Sequence, residues 1–417
     1  LQSQIFRRAV SLAVMLPLAG CGLGSSLFGG GPNASVGQAG AAPSVFGYAV
    51  GDEPQAALVA RQILDQGGNA ADAAAALGFT LSVTLPSRAG LGGGGACVMK
   101  IPDAAGHARP AVALLFPPGT PAGAGGDRPA AVPALARGLL AMEARYGVLN
   151  FSSVIVPAER LAGGVPVSPA LASDLNVVGD ALLADPAAAS VFGGPNGHVL
   201  AAGDNLAQPD LAATLEILRT QGVPGFYQGS FAAALAGDAD DAGGGLTAAD
   251  ISASVPVFSP PSLDEAGKDE VAFIPSVASS APALPASTGF AVLDKNGGVV
   301  ACALTMNNLF GTGRIAAGTG ILLAASPRNI PIPVLGGAIA YRPESGAFRA
   351  AVTGTGQGGA AAAVAQGMVN ALANTYALVP EPGRANVISC PNLVPGGEAS
   401  CTAKADPRGQ GLAIGGR

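Results

Sequence analysis

Only two histidines, His107 and His198, occur in 417 residues, and both stand in glycine- and proline-rich surroundings that read as loops. That scarcity argues against a histidine-dependent triad and a multi-histidine metal site, and no metal or other cofactor is expected. Charge is scarce as well, at 12% of residues against 49% hydrophobic, so a sizeable core is available. The net charge is −6 and no basic cluster exists, which excludes the electrostatic footprint of a nucleic-acid partner. No Gly-X-Y period and no internal repeat accompany the 62 glycines and 34 prolines. The run "GLGGGGACVMKI" (90–101) is not followed by Gly-Lys-Ser/Thr and does not open a helix as Gly-x-Gly-x-x-Gly, so it is not a phosphate loop. Four consecutive glycines predict instead a backbone crossing beside a buried strand, closer than a Cβ would allow.

The beginning of the chain has its own pattern. "FRRAVSLAVMLPLAGC" places Arg7 and Arg8 before an apolar run and small residues before Cys21, the order of a secretory signal too short to span a bilayer. "LAGC" resembles the bacterial lipobox, in which the cysteine is lipidated and becomes the mature terminus. The other reading is an apolar helix followed by an unrelated cysteine. The lipobox implies a signal over 1–21, a flexible tether over 22–43 and a protein of the cell envelope, held to the membrane by its lipid and facing the periplasm or exterior. Disulfides persist there. Cys390 and Cys401, in a Pro/Gly-rich tail (381–417), are expected to pair. Cys97 and Cys302, in apolar runs, read as buried thiols.

Between tether and tail the pattern changes once. Helical spacing marks 54–68, and Asn69 is placed to cap a second helix beginning "AADAAAALGF". Helices follow at 134–147, over "SSVIVPAERLAGG" and at 211–227. Residues 237–286 read as a proline-broken connector. From Ser287 short apolar strands dominate ("GFAVLD", "GVVACALTM", "GTGILLAAS", "GAIAYR", "AFRAAVTG"), and 360–374 is helical. Helices first and strands later predict a layered α+β domain.

"GGNAADAAAALGFTLSVTLPSRAGLGGGG" (67–95) and "STGFAVLDKNGGVVACALTMNNLFGTGRIAAGTGILL" (287–323) resemble, in that order, the two signatures of the γ-glutamyltransferase family of N-terminal nucleophile hydrolases. The resemblance implies a four-layer αββα sandwich, a large-subunit-like region over 44–286 and a small-subunit-like region over 287–380. It also implies cleavage before a hydroxyl residue that becomes the new terminus. The physics suits a chain poor in histidine. A serine or threonine hydroxyl needs a base, and at a chain terminus its own α-amine, with an intrinsic pKa of about 7.7–8.0, supplies one.

Carried over residue by residue, the resemblance makes Ser287 the nucleophile and Thr288 the second of a tandem hydroxyl pair. Thr305 becomes the threonine that supports the nucleophile, and Asn307 the residue that holds the substrate's amino acid head. Gly358 and Gly359 become the paired oxyanion donors. Each of these is also, taken singly, an ordinary polar or turn residue at the end of a strand. Four family features are absent. Pro117 stands where the family has a carboxylate-binding arginine, and a proline cannot offer a bidentate fork. Asn329 falls at an acidic position, "IPIPVLGG" lacks the expected Ser-Ser pair, and Gly289 replaces a histidine. Three functions remain: a self-cleaving amidohydrolase for a small-molecule amide, a γ-glutamyltransferase or glutathione hydrolase proper, and a non-catalytic envelope lipoprotein that keeps the scaffold.

Overall fold

The computed structural model describes residues 47–123, 125–275 and 287–416. Cys21, its signal and tether, and Ala286 with the end of the connector lie outside the described residues.

Two antiparallel sheets form the centre. The first contains seven strands in the order β17-β1-β9-β10-β2-β3-β6. These are β1 (Gly47–Gly51), β2 (Gly94–Lys100), β3 (Val112–Phe116), β6 (Val257–Ser259), β9 (Ser287–Asp294), β10 (Val299–Thr305) and β17 (Leu412–Gly415). The second has the order β16-β15-β14-β13-β8-β7. Its strands are β7 (Ser262–Ala266), β8 (Asp269–Phe273), β13 (Gly336–Tyr341), β14 (Phe348–Thr355), β15 (Arg384–Val394) and β16 (Thr402–Lys404). Two short ribbons pair β4 (Val165–Pro166) with β5 (Asn205–Leu206), and β11 (Ile315–Ala316) with β12 (Ile321–Leu322).

Among the described residues, nine helices precede β9. They are α1 (Pro54–Asp65), α2 (Ala70–Thr84), α3 (Leu135–Tyr146), α4 (Phe151–Ala162), α5 (Pro169–Leu183), α6 (Pro186–Phe192), α7 (Pro209–Tyr227), α8 (Gly229–Asp241) and α9 (Ala248–Ala253). They belong to one large core with the outer face of the first sheet, where α2 is buried along its whole length. Helix α10 (Ala360–Leu372) packs on the outer face of the second sheet through Val364 and Met368. The order is helices, sheet, sheet, helix, the expected αββα arrangement.

Period-two alternation decides what faces what. Along β9 and β10, Phe290, Val292, Val300, Cys302 and Leu304 point into the helical core. Ala291, Leu293, Val299, Ala301 and Ala303 point between the sheets, where they meet Ile339, Ala351 and Ile388 of the second sheet. Asn69 caps α2 as the sequence predicts: its side chain accepts from the Ala71 and Asp72 N–H groups, and Asp72 closes the capping box.

Four expectations need correction. Cys97 and Cys302 are a disulfide, not thiols, with Cα atoms 4.0 Å apart. They are direct partners in the β2–β10 ladder, a proximity invisible across 205 residues of sequence. Cys390 and Cys401 are bonded as expected. The tail is not a loose appendage: β15 and β16 extend the second sheet, and β17 closes the first by pairing with β1. The connector carries α9 and β6 to β8, whose alternation is weak because β7 is an exposed sheet edge rich in charge. "GTGILLAAS" (318–326) holds only the two-residue β12, entered through a left-handed turn at Gly320 and paired with β11 just before it.

Candidate active site

At one end of the space between the sheets the apolar filling gives way to hydroxyls and amides. Ser287 is the first residue of β9, and Thr305, the last of β10, is its direct register partner. Alternation puts both on the inter-sheet face. From the second sheet, Thr353, Thr355 and Asn386 point to the same space, since Ala351 and Ile388 do so. All five are buried. Thr353 Oγ1 has no hydrogen-bond partner among the described residues.

Thr288 points the other way, towards the helices, and its hydroxyl donates to Asp52 Oδ2 at 3.1 Å. The same carboxylate oxygen accepts the Gly289 N–H at 3.1 Å. Asp52 Oδ1 accepts from Asn386 Nδ2 at 2.7 Å, and that nitrogen also donates to Gly289 O at 2.9 Å. The tandem hydroxyls therefore differ in kind. Thr288 is committed to a carboxylate on the helical side, and Ser287 faces Thr305 between the sheets.

Asn307 follows β10 in left-handed backbone, at φ 62°. Its N–H donates to Thr305 Oγ1 at 2.9 Å and its Nδ2 donates to Ala325 O at 2.8 Å. Asn307 Oδ1 is buried and without a partner among the described residues, which leaves one acceptor open beside Thr305. The glycine run lies against this segment. A Cβ on Gly93 would sit 2.3 Å from Thr305 O, and one on Gly94 would sit 2.3 Å from Phe116 O and 2.8 Å from the Pro117 carbonyl carbon. This is the backbone crossing the sequence predicts. Gly94 is also the register partner of Thr305, so Pro117 borders the site.

The two glycines expected as oxyanion donors differ in their surroundings. Gly358 is exposed, with open space where a Cβ would be, whereas the Gly359 N–H is spent on Gly356 O at 3.0 Å. Asn329 is exposed and its N–H donates to Ser326 O. Among the described residues, no group of three or more His, Cys, Asp or Glu could hold a metal ion, and no helix is long and apolar enough to cross a membrane.

Charged groups beside Asp52 complete the electrostatics. Glu53 caps α1, accepting from Ala56 N–H and Thr84 Oγ1 at 2.8 Å each; burial pushes its carboxyl up despite these bonds. Arg88, in the turn between α2 and β2, donates to both oxygens of Asp174 at 2.8 and 2.7 Å. Burial works against its charge, but Asp174, with a smaller attraction from Asp52, holds its pKa above the usual value. Asp52, Asn386, Thr353 and Arg88 escaped the sequence reading. "GDEP" before a helix and "PSRAG" before the glycines are ordinary cap and turn sequences. Nothing local links residue 386 to residue 52.

The gamma-glutamyltranspeptidase family profile matches residues 56–284, more than half of the chain. The glutathione hydrolase proenzyme of Bacillus subtilis (strain 168) is 33% identical over 218 residues, 48% of this chain and 36% of that protein. Its counterpart in Escherichia coli (strain K12) is 32% identical over 217 residues, 48% of this chain and 37% of that protein. The match thus spans little more than a third of these relatives' length. In structure, the chain resembles the cephalosporin acylase of Bacillus halodurans with a TM-score of 0.71, covering 92% of this chain and 97% of that one. At 16% identity this likeness is one of fold. The order of the two signatures, the αββα layering and the extent of the match together place this chain in the gamma-glutamyltranspeptidase family.

Proposed function

We propose that the protein is a self-cleaving amidohydrolase or acyltransferase of the γ-glutamyltransferase class, with Ser287 as nucleophile. The observation that carries this reading is the pairing of Ser287, first residue of β9, with Thr305 on the inter-sheet face. In the precursor the Ser287 hydroxyl adds to the Ala286 carbonyl. The peptide C–N bond breaks as the acyl group moves from nitrogen to oxygen, and the nitrogen keeps the proton that the hydroxyl gives up. Water then hydrolyses the ester to an Ala286 carboxylate and a free Ser287 α-amine. In turnover that amine takes the hydroxyl proton, the oxygen attacks a substrate amide carbonyl, and the departing amine carries the proton away. The relatives' name, proenzyme, agrees with a precursor route.

The acyl donor is a small-molecule amide whose head is not held as a γ-glutamyl carboxylate. Pro117 gives the site's rim no guanidinium, and the run at 330–337 gives no hydroxyl. Asn307 Oδ1 and Thr353 Oγ1, buried without partners among the described residues, favour a polar head group instead. Residues 1–21 are proposed as a lipoprotein signal, which puts the mature protein in the cell envelope. Two buried disulfides fit an oxidising compartment. Cys21→Ala should move the protein from the membrane to the soluble fraction, and unchanged membrane retention sinks that assignment.

Intact mass after prolonged incubation tests the main reading. Wild type should yield two chains, the second beginning at Ser287. Ser287→Ala should stay whole, and Ser287→Thr should cleave. A wild-type chain that never cleaves refutes the mechanism and leaves the scaffold-only lipoprotein.

A further inference from the structure

We infer that Asp52, clamped by Asn386, is a positioning residue for the nucleophile: it fixes the start of β9 and serves as the counter-charge to the amine that cleavage leaves on Ser287. The inference rests on the self-cleaving reading above.

The first part follows from hydrogen bonds. Beyond the last paired residue of β1, Gly51, the ladder that would hold the start of β9 has no further backbone partner among the described residues. Side chains take its place. Asp52 Oδ2 accepts from Gly289 N–H and Thr288 Oγ1, and Asn386 Nδ2 donates to Gly289 O while holding Asp52 Oδ1. Asn386 is buried and its own Oδ1 accepts the Asp406 N–H at 3.3 Å. The clamp therefore joins β1 of one sheet, β9, and β15 of the other at the first three residues of β9.

The second part follows from strand geometry. Hydrogen-bonded and non-hydrogen-bonded pairs alternate along an antiparallel ladder. Gly289 directs both N–H and C=O to the Asp52–Asn386 side, so its pairing with Ala303 is of the non-hydrogen-bonded kind. Ser287, two residues earlier, is of the same kind. Its side chain is thereby brought close to Thr305, and its nitrogen points to the edge of β9 that Asp52 occupies. Two residues of strand, at about 3.3 Å each, separate that nitrogen from the Gly289 N–H. With the Asp52 carboxylate bound at that Gly289 N–H, a separation of some 6–7 Å favours the ammonium by about 0.5–1 pKa unit at an effective dielectric of about 40–80.

The other charges around this end are accounted for by element. Glu53 at the head of α1 is buried and pushed towards its neutral form. Arg88 is matched by Asp174 of α5. Asp406, beyond β16, is held below its usual range by Arg408 against the effect of burial, and Arg408 also pairs with Glu381. Among the described side chains, Asp52 is the carboxylate left to face the new amine.

The test titrates the amine itself and needs no substrate. Cleaved protein is trace-labelled with acetic anhydride across pH 5 to 10, and acetylation of the peptide that begins at Ser287 is read by mass spectrometry. Asp52→Asn should lower the labelling midpoint by about 0.5–1 unit. Asp52→Glu, which keeps the charge, should return it to the wild-type value. A merely structural role would slow cleavage and leave the midpoint unmoved, so an unmoved midpoint in cleaved Asp52→Asn overturns this inference alone. If Asp52→Asn does not fold, Asn386→Ala carries the test, because it keeps the charge and removes the donor to Gly289 O. Cleavage slowed about tenfold or more supports the clamp, and cleavage at the wild-type rate overturns it. A wild type without a terminus at Ser287 removes the self-cleaving reading and this inference together.

Discussion

Gly93→Ala joins the oddest stretch of sequence to the proposed chemistry. The added methyl would lie 2.3 Å from Thr305 O and 2.8 Å from Met306 Sδ, where real Cβ contacts do not fall below 3.0 Å. Position 93 cannot retreat. Its N–H donates to Gly90 O, and its carbonyl accepts the Ala134 and Leu135 N–H groups that start α3. Gly93 is not among the glycines with positive φ, so alanine brings a steric clash and no backbone strain. The Thr305 segment must yield by about 0.7 Å to reach the 3.0 Å limit. Overpacking of this size costs about 1–3 kcal/mol, which lowers Tm by several degrees. A displacement approaching 1 Å at a reacting geometry costs up to about a hundredfold in rate. The assay is a thermal melt beside a mass-spectrometric time course of cleavage. Gly358→Ala is the control, because a Cβ there meets nothing within 4 Å and should leave Tm unchanged. Cleavage of Gly93→Ala at the wild-type rate, with Tm lowered, would show that Thr305 does not set the nucleophile's geometry. An unchanged Tm would refute the packing argument itself.

Thr288→Val removes the hydroxyl from Asp52 and should cost about 1 kcal/mol while cleavage before Ser287 continues; a terminus at residue 288 in wild type would reverse the roles of the two hydroxyls. Non-reducing peptide mapping should find Cys97 joined to Cys302 and Cys390 to Cys401, and replacing Cys97 and Cys302 together by alanine should lower stability by roughly 2–5 kcal/mol. Glu143 is buried, and that burial, with the Asp72 charge nearby, pushes its carboxyl up to about 7 from 4.5. Between those values the folded state binds more protons than the unfolded, so this residue's contribution falls as pH rises from about 4.5 to about 7 and is flat above. Glu143→Gln should therefore gain on the order of 1–2 kcal/mol over wild type at pH 8 and little at pH 4, measured by denaturant melts; equal gains at both would refute the titration.

What the sequence made legible was whatever is written in neighbouring residues. Asn69 and Asp72 lie within one helical turn, and the capping box was readable there. The four glycines announced a close crossing because only backbone sterics explain them, and the crossing partners are Thr305 O and Phe116 O. Strands β9 and β10 were readable as near-continuous apolar runs on either side of a short turn, because each is buried on both faces. The tail misled because prolines and glycines crowd the stretches between its strands, and because β17 pairs with β1, more than 360 residues earlier. The Cys97–Cys302 bond failed for the same reason, since a ladder partner is a property of register and not of spacing.

The site shows why its second half was hidden. Ser287, Thr305 and Asn307 come from one hairpin, so a family pattern could name them together. The groups that hold them come from the end of β1, the glycine loop and the start of β15, and each looks like a cap, a turn or a strand residue until the sheets are stacked. Asp52 is the clearest case. In sequence it is the acid before Glu53 and Pro54 at a helix start, where a capping role suffices. In the fold Glu53 performs the capping, which leaves Asp52 free to bind the first residues of β9. Two acids in tandem thus divide the work, as the two hydroxyls of Ser287 and Thr288 do on the facing strand. At each pair one member is tied to structure on the helical side. The partner of that member, Asp52 or Ser287, stands at the start of β9, where the proposed cut would fall.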